Sequence, residues 1–100
     1  MLDWHLYLVK CHDGSLYTGI TTDVARRFAE HQENNGTGAK YLRGRGPLTL
    51  VFQKKLGSRR LALGVELQVK KLSKARKEEL IKSDTRVDEI IKQVSSQLIV

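Results

Sequence analysis

Several side chains of this 100-residue sequence are of types that handle phosphate and protons, and their neighbours set what each can do. Arg27 lies beside Val24, Phe28 and His31, which fall at i, i+4 and i+7 on one helical face. A guanidinium at the edge of an apolar stripe is desolvated unless it meets an anion, and its planar fork suits a phosphate. The alternative is pairing with Asp23 four residues earlier, while Arg26 turns toward Glu30. Glu66 is the sole acid between Glu33 and Glu78 and follows a strongly basic stretch. A lone carboxylate facing such a pocket could hold Mg²⁺, which often takes one protein carboxylate and several waters. Its plain alternative is an i, i+4 pair with Lys70. His31 could serve as acid, base or phosphate contact near neutral pH, or be structural. Tyr7 and Tyr17 are phenols that could be buried hairpin aromatics with satisfied hydroxyls. His5, His12 and Cys11 show no metal-ligand spacing, and one cysteine cannot make an internal disulfide. No P-loop, nucleophile elbow or zinc pattern is present.

The charge that could attract a polyanion is unevenly spread. The chain carries +7 and has a pI of about 9.8. Residues 34–65 hold seven basic and no acidic side chains, whereas residues 1–33 hold three and five. Lys40, Arg43, Arg45, Lys54, Lys55, Arg59 and Arg60 lie in that middle third, interleaved at first with glycines and Tyr41. From Gly36 to Gly46, glycines allow close backbone approach while Arg and Lys neutralise phosphate. The alternative is a solvated basic loop.

These groups act together only if the fold brings them together. Trp4 to Lys10 and Leu16 to Ile20 read as strands of a hairpin around Asp13-Gly14. A two-residue turn would put Tyr7 and Tyr17 on opposite faces. A three-residue loop, His12-Asp13-Gly14 with Gly14 left-handed, pairs Val9 with Tyr17 and Tyr7 with Gly19, so both tyrosines share a face. The X-Asp-Gly order favours this second geometry. Thr21-Thr22-Asp23 caps a helix that Asn34-Asn35-Gly36 ends. Leu48 to Gln53 reads as a third strand, and Gly57-Ser58 as a turn and cap before a helix striped by Leu61, Val65, Val69 and Leu72. Ser73 to Lys82 forms a short helix, and Asp84 or Thr85 caps another with Val87, Ile90, Ile91, Val94 and Leu98 on one face.

The order ββαβα plus C-terminal helices predicts an α+β fold in the broad α/β class, a small three-stranded antiparallel sheet packed by helices. The length suits one domain over residues 1–82, with residues 83–100 as an amphipathic helix on the same domain. The sequence offers no membrane span and no secretory signal, so the expected location is the cytoplasm.

In order and spacing, His5-Leu6-Tyr7, Tyr17-Thr18-Gly19, the helix Thr21 to His31 and the segment Leu61 to Leu72 resemble the GIY-YIG nuclease superfamily over residues 3–82. The likeness is to its small stand-alone bacterial members. Three departures are visible: the first motif keeps only its Tyr, Thr18 replaces an Ile, and no Asn follows Glu66. The resemblance implies a structure-directed endonuclease hydrolysing phosphodiesters with one Mg²⁺ or Mn²⁺. It implies that Glu66 holds the ion, Arg27 neutralises transition-state charge, and Tyr7 or Tyr17 takes the proton of the attacking water with help from His31. Gly19 belongs to the structural motif, while Lys40, Arg43 and Arg45 would grip the backbone. The implied partner is nucleic acid, DNA ahead of RNA, with a protein partner able to supply specificity. Two alternatives stand beside this reading. One is a non-catalytic DNA- or RNA-binding module on the same fold. The other is an interaction module that uses the Val87 to Leu98 stripe.

Overall fold

A computed structural model describes residues 2–33 and 38–98. Strands β1 (Trp4–Lys10) and β2 (Leu16–Thr21) form the expected hairpin. Gly14 takes φ +86°, its N–H donates to the Cys11 carbonyl at 2.9 Å, and the Cys11 N–H donates to the Ser15 carbonyl at 2.9 Å. Asp13 fixes the turn by accepting the Ser15 N–H at 3.0 Å and its hydroxyl at 2.6 Å. Val9 therefore faces Tyr17 and Tyr7 faces Gly19, the register of the three-residue loop.

Strand β3 (Thr49–Gly57) pairs antiparallel with the other side of β1, giving the order β2-β1-β3. It continues past Gln53, where the sequence reading ended it, because Lys54 and Lys55 keep their backbone pairing with Leu6 and His5. Their ammonium groups reach Asp88 at 3.5 Å and Asp3 at 3.7 Å. Both lysines are thereby drawn into surface ion pairs rather than a free basic stretch.

As the central strand, β1 is buried on both sides, which explains its unbroken buried run from Leu6 to Val9. On one face Leu6, Leu8 and Phe52 pack with Val65, Val69, Leu80, Val87 and Val94. These come from α2 (Arg59–Lys70), α3 (Lys74–Lys82) and α4 (Asp84–Leu98). On the other, Tyr7, Val9 and Cys11 pack with Val24 of α1 (Val24–Glu33) and with Leu42. Leu42 closes a single 3₁₀ turn, Lys40–Leu42. Ser58 and Ser73 cap α2 and α3 through the Leu61 and Arg76 N–H groups, and the Asp23 carboxylate takes the Arg26 N–H. Asn34-Asn35-Gly36, the expected end of α1, lies outside the described residues.

The α4 stripe is not a free contact surface. Val87 and Val94 are in the core, and Ile90, Ile91 and Leu98 pack against it. A small sheet leaves one broad apolar face that α2 alone does not cover, and α4 completes the cover. Among the described residues no helix is long and apolar enough to cross a membrane.

Candidate active site

The site is built around the Tyr7 hydroxyl. Tyr7 points from β1 toward α1, and its ring crosses β2 where Gly19 has no side chain. A Cβ on Gly19 would stand 2.5 Å from both Tyr7 Cζ and the hydroxyl oxygen, so only glycine leaves room. The oxygen then meets His31 Nε2 at 2.9 Å. The other ring nitrogen, Nδ1, lies 3.0 Å from the Ala39 N–H. An amide can only donate, so Nδ1 is unprotonated, and the neutral ring carries its proton on Nε2. Tyr7 oxygen is therefore an acceptor from His31. Burial, and next the charge of Arg27, hold the His31 pKa below its ordinary 6.5, which keeps the ring neutral.

Arg27 is half-buried in α1, and its Nη1 bonds Glu30 at 2.9 Å. Glu30 thus pairs with Arg27 rather than with Arg26, because Arg27 lies on the side that Tyr7 occupies. The Asp23 carboxylate accepts the Arg26 N–H at 3.1 Å. The guanidinium also lies close enough to the Tyr7 hydroxyl to pull the phenol's pKa down. Burial, followed by the neighbouring Tyr17, pushes the Tyr7 phenol well above its usual range, while Arg27 pulls against both.

Glu66 comes from the opposite face of the sheet. Helix α2 lies across β1 and β2, anchored by Val65 and Val69. The next residue along, Glu66, is close enough to Tyr7 for its negative charge to raise the phenol's pKa. Its carboxylate is 18% exposed and stands 3.5 Å from Lys70 Nζ, so the i, i+4 pair also forms. Among the described residues no group of three His, Cys, Asp or Glu side chains could share an ion. A single hard, partly open carboxylate is the donor set of a Mg²⁺ or Mn²⁺ site completed by water and substrate oxygens, and does not suit zinc. Glu66 is the residue that could hold such an ion.

Tyr17 is on the same face as Tyr7, with ring centroids 6.3 Å apart, and stands edge-on to His31 at 5.6 Å. Lys40 and Arg43 are exposed on the loop beside it. Arg45 Nη1 bonds Asp13 Oδ2 at 3.0 Å, and its guanidinium lies over Tyr41. The structure therefore brings Tyr7, Tyr17, Arg27, His31 and Glu66 into one neighbourhood, with Arg45 at its border over Tyr41, whose ring stacks on Tyr17. Sequence reasoning missed the Ala39 N–H, a backbone donor that no side-chain pattern reveals. Gly38 beside it was the available signal, since a Cβ there would lie 2.8 Å from the His31 Cα.

A model of the GIY-YIG catalytic domain matches residues 3–79 of this chain. The chain belongs to the GIY-YIG family. Its relatives include the UPF0213 protein of Cronobacter sakazakii, 59% identical over 81 residues, covering 81% of this chain and 83% of that protein. UPF0213 protein YhbQ of Salmonella arizonae is 44% identical over 99 residues, covering 99% and 97%. Among solved structures, the solution structure of the UPF0213 protein from Bacillus halodurans matches with a TM-score of 0.52 and 45% identity, covering 80% of this chain and 83% of that one. A protein of E. faecalis matches with a TM-score of 0.56 and 36% identity over the same shares. The GIY-YIG match ends at residue 79, so α4 lies beyond the matched segment while packing on the same core.

Proposed function

We propose that this GIY-YIG chain is a structure-directed endonuclease that hydrolyses nucleic-acid phosphodiester bonds with one divalent ion. The observation that carries the reading is the Tyr7 oxygen, which meets His31 Nε2 at 2.9 Å and lies within reach of the Arg27 and Glu66 charges. With its oxygen accepting from His31, Tyr7 has its own proton directed elsewhere, and the same donor, with the Arg27 charge, favours the oxygen when it is ionised. In its ionised form, after losing its own proton to solvent, Tyr7 takes the proton of the attacking water, and His31 keeps that oxygen in place. Neutral His31 donates to Tyr7 without adding charge. Arg27, fixed by Glu30, neutralises charge that builds on the phosphoryl oxygens in the transition state. Lys40 and Arg43 hold the flanking backbone. Mg²⁺ or Mn²⁺ on Glu66, when bound, supplies a Lewis acid for a phosphoryl oxygen and positive charge favouring the ionised phenol.

The test is cleavage of labelled DNA and RNA duplexes, single strands, flaps and junctions with Mg²⁺, Mn²⁺ or EDTA. Metal-dependent cutting is expected, with turnover about 10² to 10³ lower in Arg27→Ala and in Glu66→Ala while thermal stability is nearly unchanged. The pairing of Glu66 with Lys70, with no Asn after Glu66, favours one second reading, a binder without chemistry. Salt-sensitive binding with no cutting of any substrate would establish it and remove the nuclease.

A further inference from the structure

The loop that supplies the Ala39 N–H also carries a ring that the chemistry above does not use. Tyr41 is 45% exposed, although its neighbour Leu42 is buried. Its ring stacks on Tyr17, with centroids 5.9 Å apart and planes 28° from parallel. Tyr17 in turn touches both Tyr7 and His31, so Tyr41 is one ring removed from the reacting centre. The Arg45 guanidinium carbon lies 4.3 Å from the Tyr41 ring centroid. That guanidinium is pinned by Asp13 at 3.0 Å, and the Arg45 carbonyl accepts the His12 N–H at 2.8 Å. Two hydrogen bonds from Ser15, ahead of the Arg45 charge, keep the Asp13 carboxyl below its ordinary range, so the pinning anion is present at neutral pH.

The result is a stack of the Tyr17 and Tyr41 rings and the Arg45 guanidinium, held in place before any ligand arrives, with Lys40 and Arg43 exposed beside it. Planar π faces of this kind stack nucleobases regardless of sequence, and a fixed surface loses little freedom on binding. Inside an uninterrupted duplex each base is already stacked between neighbours, so only an unpaired nucleotide can present a free face. We propose that Tyr41 and Arg45 form a stacking platform for an unpaired nucleobase, which seats the nucleotide next to the phosphate at Tyr7. The substrate is then a strand with unpaired nucleotides, such as a single strand, flap or bulge. The word substrate rests on the nuclease reading; the platform itself does not.

Binding is measured in EDTA, where no cutting occurs, with DNA and RNA oligonucleotides carrying one 2-aminopurine, whose fluorescence is quenched on stacking. The full chain is expected to quench the probe in a single strand and in a bulge, but not within a continuous duplex. Tyr41→Leu keeps bulk over Tyr17 and removes the aromatic ring on which Arg45 lies, and should weaken single-strand binding about 5- to 150-fold. Tyr41→Trp should restore it. Equal binding by wild type and Tyr41→Leu, or equal quenching inside the duplex, overturns the platform. Quenching with no cleavage of any substrate in Mg²⁺ supports the platform and removes the nuclease. Cleavage of intact duplex at equal rates by wild type and Tyr41→Leu, without quenching, does the reverse.

Discussion

One missing side chain makes the contact between Tyr7 and His31 possible. Tyr7 could not lie across β2 if residue 19 had a Cβ, and without that path its oxygen would not meet His31. Gly19→Ala is therefore expected to displace the ring. Overpacking of this kind costs about 1 to 3 kcal/mol, which denaturant unfolding reads directly. Activity should fall with it, because the displaced phenol loses the His31 bond. A variant that kept both stability and the Tyr7 to His31 contact would show that the ring has another route. Arg27 teaches a related lesson. Arg26 and Arg27 are both within reach of Glu30 by spacing, and the position of Tyr7 decides which one pairs.

At the scale of elements, the site depends on a loop joining its own helix. Ala39 sets the His31 tautomer, and Gly38 allows the loop to approach α1 closely enough to do so. A Cβ on Gly38 would stand 2.8 Å from His31 Cα and 2.9 Å from the Glu30 carbonyl oxygen, both backbone atoms that cannot swing aside. Gly38→Ala should therefore lift the Ala39 N–H off Nδ1. Imidazole ¹⁵N shifts of His31 should report a single Nε2–H form in the wild type and a mixture of tautomers in the variant. An unchanged single tautomer in Gly38→Ala would mean that the loop does not set it. The hairpin shows the same dependence of site on element, because its bulged turn puts Tyr7 and Tyr17 on one face.

Folding stability belongs to the whole molecule, and two buried groups of the site tie it to pH. The native His31 pKa lies below the ordinary 6.5 because of burial and then Arg27. Below about 6.5 the unfolded chain binds a proton that the native chain refuses, so stability should fall as pH drops through that window. Tyr7 acts at the other end. Its native pKa is raised, chiefly by burial, so the native state keeps a proton that the unfolded chain loses above about 10. Stability should fall again as pH rises past that point. Urea midpoints from pH 5 to 11 should show a shallower acid slope in His31→Gln and a shallower alkaline slope in Tyr7→Phe. Identical slopes in wild type and variants would disconnect these groups from the pH response.

Local chemistry was legible in the residues themselves. The Asp13-Gly14 order specified the turn and hence the register, because few backbones accommodate a left-handed residue at that place. Helical spacing put Val24 and His31 on one buried face. The cap residue Ser58 marked where α2 begins. The end of β3 was not legible, since lysines at 54 and 55 look like loop until β1 supplies hydrogen-bond partners. Nor was the approach of Glu66 to Tyr7, which depends on how α2 packs across the sheet from the other face. Spacing and turn chemistry act over a few residues and are written in the chain. Which backbone amide meets His31, which cation Glu30 takes and which ring Arg45 covers depend on elements distant in sequence, so only their packing decides them.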